Sequence, residues 1–85
     1  MREFTTSVEA SAIVHELIGK AQRLSYHNDI YKLINNLREL VDDLSKAEVM
    51  ARQQKNPNWT KRPKEKLAQA IDNIDKIIMI YQLTL

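Results

Sequence analysis

Between Tyr26 and Arg52 the apolar residues Tyr26, Ile30, Leu33, Leu37, Leu40, Leu44, Ala47 and Ala51 follow one another in alternating steps of four and three. A helix brings positions at that spacing onto one face, and a stripe this long reads as a coiled-coil-like seam. A second line, Ile34 and Val41, widens the stripe, so this helix is expected to touch more than one neighbour. About 27 residues at 1.5 Å each make a rod of roughly 40 Å. Its outer face carries Arg38 to Asp42, Asp42 to Lys46 and Glu48 to Arg52 at i, i+4, each worth a few tenths of a kcal/mol on a solvated surface.

The rest of the chain reads as what this rod packs on. One glycine and two prolines in 85 residues favour a few long elements. Thr6-Ser7-Val8-Glu9 has the form of a capping box, in which Thr6 caps the amide of Glu9 while the Glu9 carboxylate reaches back. A first helix over 7–24 follows, with Ala10, Ile13, Val14, Leu17, Ile18, Ala21 and Leu24 on one stripe. Gly19 inside it costs about 1 kcal/mol against alanine, which close approach of another backbone would explain. Ser25 to Asp29 is the expected break, by N-cap chemistry and helix dipole.

The second helix, over 26–54, stops at a loop over 55–60, because Asn56 precedes Pro57 and asparagines favour turns. Thr60 is the expected N-cap of a third helix over 61–83, with Pro63 in its first turn. Leu67, Ile71, Ile74, Ile78, Tyr81 and Leu85 repeat the seam spacing there. The expected fold is all-α: one domain over 1–85, three antiparallel helices, the second and third forming a long hairpin.

From Ile77 to Leu85 only Gln82 and Thr84 are polar. A helix apolar all round has to be covered all round. Insertion between the other two helices would do this, as would a second copy, and a terminal strand is a further reading of so short a β-branched run. Self-association is the preferred expectation, with Ile77, Met79, Ile80, Tyr81, Leu83 and Leu85 as the oligomer interface, since small domains often need a partner to complete a core.

Charge is unevenly placed. The chain carries +2 overall, but Arg52 to Lys66 alone carries +5 and the remainder −3. Arg52 and Lys55 suit the negative end of a helix, whereas Lys61, Arg62 and Lys64 stand at a helix start, where negative charge is favoured. With Lys66, and with Trp59 as an apolar anchor or stacking platform, they form the candidate partner-binding patch. For Trp59 taken alone the preferred expectation is that its ring folds over the helix ends and caps the bundle, with the partner-facing role as the alternative.

Catalytic chemistry finds little to work with. His15 and Glu16 are sequence neighbours whose side chains diverge, and no second histidine completes a zinc pair. His27 and Asp29 are two potential ligands without a third, and the carboxylates Asp42, Asp43, Asp72 and Asp75 read as solvated helix faces. Without cysteine the chain has no disulfide or thiolate metal site, and one glycine makes no phosphate loop. No apolar run approaches the roughly 18 residues of a membrane span. No enzyme activity, cofactor, metal, leader or membrane anchor is expected, and the cytoplasm is the expected compartment.

The functional expectation is therefore a small non-enzymatic protein-binding module, an adaptor or inhibitor that masks a surface of a larger protein. In size and style the chain resembles small phage-encoded inhibitors and bacteriocin immunity proteins, a likeness of class from which no residue role follows. The alternatives are nucleic-acid or anionic-ligand binding through the Trp59 tip, and a purely structural homo-oligomer.

Overall fold

The computed structural model describes residues 4–24 and 27–84, with His27 and Thr84 described in their backbone alone. Three α-helices form a rod 49 Å long and 20 by 15 Å across: α1 (Ser7–Ala21), α2 (His27–Gln54) and α3 (Lys61–Thr84), with a 3-10 turn at Pro57–Thr60 before α3. No strand occurs among the described residues, so the run from Ile77 is helical. The expected N-cap region at Ser25 and Tyr26, the His27 side chain and Leu85 lie outside the described residues.

Two long-range contacts fix the directions. Ser7, first residue of α1, meets Glu48 near the end of α2, so these helices run antiparallel. Lys20, near the end of α1, pairs at 3.7 Å with Asp75 in the second half of α3, so α1 and α3 run the same way. α1 lies chiefly on α2 and touches α3 more lightly.

One core joins the three. Ala10, Val14, Leu17, Ala21 and Leu24 meet Ile30, Ile34, Leu37 and Leu44 of α2 and Leu67, Ile71, Ile74 and Ile78 of α3. The α1 and α3 stripes therefore bury as their periodicity predicts. Each fully buried Leu or Ile contributes about 1.5–3 kcal/mol, so this cluster dominates stability.

The widened α2 stripe is buried as expected at Ile30, Ile34, Leu37 and Leu44, and Leu33 departs from it. Ile34 is fully buried while Leu33 is exposed, and Leu40 and Val41 are both half-buried. The buried residues Ile30, Ile34, Leu37 and Leu44 are flanked by Leu40 on one edge and Val41 on the other, both packed against the core. Periodicity does not choose between two interleaved stripes. Two neighbouring helices do, because α1 and α3 flank α2 and meet along the line midway between its two apolar edges.

Local chemistry sets the ends. Thr6 accepts from the Glu9 amide at 3.3 Å, as expected, but the Glu9 carboxylate reaches one residue further back, to the amide and hydroxyl of Thr5, each at 3.0 Å. α1 stops at Ala21 instead of 24, tightening into bonds from Arg23 N–H to the Lys20 carbonyl and from Leu24 N–H to the Ala21 carbonyl. Gly19 is also corrected: a β-carbon there would meet nothing within 4 Å, so no close backbone approach explains it.

The end of α2 is a Schellman turn. Lys55 takes the left-handed conformation, φ 53°, and the Asn56 N–H donates across it to the Ala51 carbonyl at 3.0 Å. Asn56 is extended before Pro57, and its side chain caps the 3-10 turn by accepting from the Asn58 amide. The expected loop is thus an ordered turn. Thr60 does not serve as drawn from the sequence: its hydroxyl donates to the Pro57 carbonyl at 2.9 Å, and α3 continues directly from the 3-10 turn.

Candidate functional site

The hairpin turn and the start of α1 meet at one end of the rod. The basic residues expected to act together gather at this tip, but α3 distributes them over different faces. With 100° per residue, Arg62 and Lys66 fall on one side, and Lys64 points some 160° or more away from both.

On the side away from α1, Trp59, Arg62, Asn56, Asn58 and Pro63 line an open cleft of about 360 Å³. Trp59 is 47 % exposed. About half of the residue is covered by the turn and half is open to solvent. Arg62 and Pro63 also line the next cleft, about 270 Å³, with Lys66, Leu40 and Asp43. Arg62 therefore links two hollows into one strip, with the indole at its upper end and Lys66 below.

Facing α1, a groove of about 490 Å³ takes Arg52 and Lys64 together with Val8, Ala51, Pro57 and the hydroxyl-bearing Thr5, Thr6 and Thr60. Glu48 lines it too, its carboxylate engaged by the Ser7 amide at 2.9 Å and by the Ser7 hydroxyl. Glu9 stands close by and titrates below the ordinary carboxylate range, because it accepts from the Thr5 backbone and hydroxyl and, in smaller part, because Lys64 is near. The acidic groups offset Arg52 and Lys64, so the groove is close to neutral. Lys55 and Lys61 are exposed.

The opposite end of the rod is apolar. Ile78 is buried and Ile77 and Tyr81 half-buried, but Met79 is 57 %, Ile80 56 % and Leu83 82 % exposed. Insertion of this end between the other helices is therefore excluded: only one side of α3 enters the core. α1 ends at Ala21, just past the Lys20 that pairs with Asp75, so the last turns of α3 keep α2 as a neighbour but have no α1 beside them.

Sequence reading missed two juxtapositions. Glu48, assigned to a surface pair with Arg52, is half-buried against Ser7, and the only sequence signal was its place on the buried line one turn beyond Leu44. Ser11 and His15 share a cleft of about 360 Å³ with Arg38, Val41 and Asp42. No hydrogen bond joins Ser11, His15 and Asp42 among the described residues; Asp42 pairs with Lys46 at 3.8 Å and Arg38 lies 5.9 Å over the Tyr31 ring. Among the described residues, no group of three His, Asp or Glu is placed to hold a metal ion, and no helix is long and apolar enough to cross a membrane.

Comparison of the chain with protein-family models, with characterised proteins and with solved structures finds no match.

Proposed function

We propose that the protein is a small non-enzymatic helical module that binds another protein through the strip of Trp59, Arg62, Pro63 and Lys66. The observation that carries this reading is the half-exposed indole sharing one cleft with an arginine. Tryptophan and arginine are the residues that most often dominate interface energetics, the one by filling an apolar pocket and the other by bidentate pairing. Arg62 and Lys66 on this strip, which the acidic groups of the α1 groove do not offset, select an acidic surface, and Trp59 asks for an apolar hollow within it. The two ends of the rod divide the work in this reading: the tip meets the partner, and the apolar end meets a second copy.

Trp59 is the sole tryptophan, so its emission reports on the tip directly. Selection of displayed peptides on the immobilised protein is expected to return acidic sequences with an aromatic or aliphatic anchor. Such a peptide should shift the Trp59 emission to shorter wavelength, and Arg62→Glu with Lys66→Glu should weaken binding tenfold or more. Selected peptides without acidic bias, or unchanged affinity in Trp59→Ala, overturn the reading. Tighter binding of a thymidine 20-mer, with affinity falling steeply in salt, replaces it with single-stranded nucleic-acid binding.

A further inference from the structure

The flank of the rod between α1 and α2 carries a second cluster. Ser11 and His15, one turn apart on α1, share a cleft of about 360 Å³ with Arg38 and Asp42, one turn apart on α2. The Arg38–Asp42 pair expected from their spacing is not formed. Asp42 pairs with Lys46 at 3.8 Å instead, and the Arg38 guanidinium lies over the Tyr31 ring, 5.9 Å from its centroid.

This exchange leaves donors without acceptors. A ring contact engages the face of a guanidinium, while its N–H groups lie in the plane and remain able to donate. Among the described residues Arg38 has no ion pair, and neither the Ser11 hydroxyl nor the His15 ring makes a hydrogen bond. Three unengaged donors from two helices therefore line one cleft, whose apolar wall is the buried Val14 and the half-buried Val41.

The number of donors selects the ligand. A guanidinium fork spans two oxygens, and His15 and Ser11 each add a donor. A carboxylate has two oxygens, which the fork uses up, whereas a phosphoryl group has a third to offer the α1 pair. The charge of the cleft agrees. Arg38 is uncompensated, while Asp42, its side chain 73 % exposed, stands at the rim and is offset by Lys46.

We propose that this cleft binds a small phosphate monoester, with Arg38 clasping two phosphoryl oxygens, His15 and Ser11 donating to the third, and the organic portion resting on Val14 and Val41. Because the donors come from two helices, the ligand ties α1 to α2 and stabilises the fold by mass action. The cleft shares no residue with the Trp59 strip, so the two readings stand or fall separately.

Glycerol phosphate, titrated into isotope-labelled protein at constant ionic strength and followed by NMR, tests the proposal. Saturable shifts of the Ser11, His15 and Arg38 amides are expected, with a rise in thermal midpoint at saturation. Arg38→Gln should weaken binding by about tenfold or more and Ser11→Ala by about threefold, with circular dichroism unchanged. Asp42→Asn removes the rim carboxylate and should tighten binding, which loss of a merely structural contact would not do. Shifts centred on Trp59 and Arg62, a response that does not saturate, or equal affinity in Arg38→Gln overturns the proposal.

Discussion

The Glu48 carboxylate, near the end of α2, receives both the amide and the hydroxyl of Ser7, the first residue of α1, across 41 positions of sequence. The amide is one of the donors that every helix start leaves without an internal partner, and here burial of Ser7 closes off water as the alternative. Thr6 caps the Glu9 amide, and Glu48 caps this one. Removing the carboxylate strands a buried donor, so Glu48→Ala should cost about 1–3 kcal/mol in urea unfolding. Ser7→Ala should cost less, and the double variant should fall short of the sum. Additive losses would show that the contact contributes nothing.

Gly19 sits in an open stretch of α1 with ordinary helical backbone and room for a methyl group. Replacing it with alanine lowers the entropy of the unfolded chain without a clash. Gly19→Ala is expected to stabilise by about 0.5–1 kcal/mol, read as a rise in thermal midpoint. A destabilised variant would require a contact at this position.

Lys55 holds a positive φ that favours glycine, and its side chain is exposed. Lys55→Gly should therefore stabilise the Schellman turn by up to about 1 kcal/mol. Lys55→Val should destabilise, because a β-branched residue resists that conformation. Thermal midpoints of the pair, in opposite directions from the parent, are the check.

Glu9 titrates lower folded than unfolded, chiefly through the Thr5 amide and hydroxyl. A lowered carboxylate contributes stability that is present above its unfolded value of 4.5 and lost as pH falls through the folded value. The thermal midpoint should therefore drop below pH 4.5 more steeply in the parent than in Glu9→Gln, and the two curves should converge in acid. Parallel curves would mean that the Thr5 contacts do not persist in solution.

How much of this was legible in the residues varies with the range of the forces involved. Helix existence, type and phase on α1 and α3 follow from apolar spacing, since Ala10 to Leu24 and Leu67 to Ile78 each offer one stripe to bury. The stop at Asn56-Pro57 is equally local, because ring sterics act on the residue before. The positively charged stretch around Trp59 was visible as composition. Its division into a Trp59–Arg62–Lys66 strip and a near-neutral groove with Arg52 and Lys64 was not, for that depends on the rotation of α3 and on where α1 begins.

Where α2 offers two interleaved stripes, periodicity alone leaves the choice open. The sequence by itself determined three helices, their order and the hydrophobic identity of nearly every core position, because those depend on side-chain size and on neighbours within a turn. Tertiary structure decided that Ile34 enters the core while Leu33 stays outside, that Glu48 leaves the surface for Ser7, and that α1 ends short of Met79, Ile80 and Leu83. Each of these is settled by how three cylinders of unequal length share one line of contact, and that geometry exists only once all three are together.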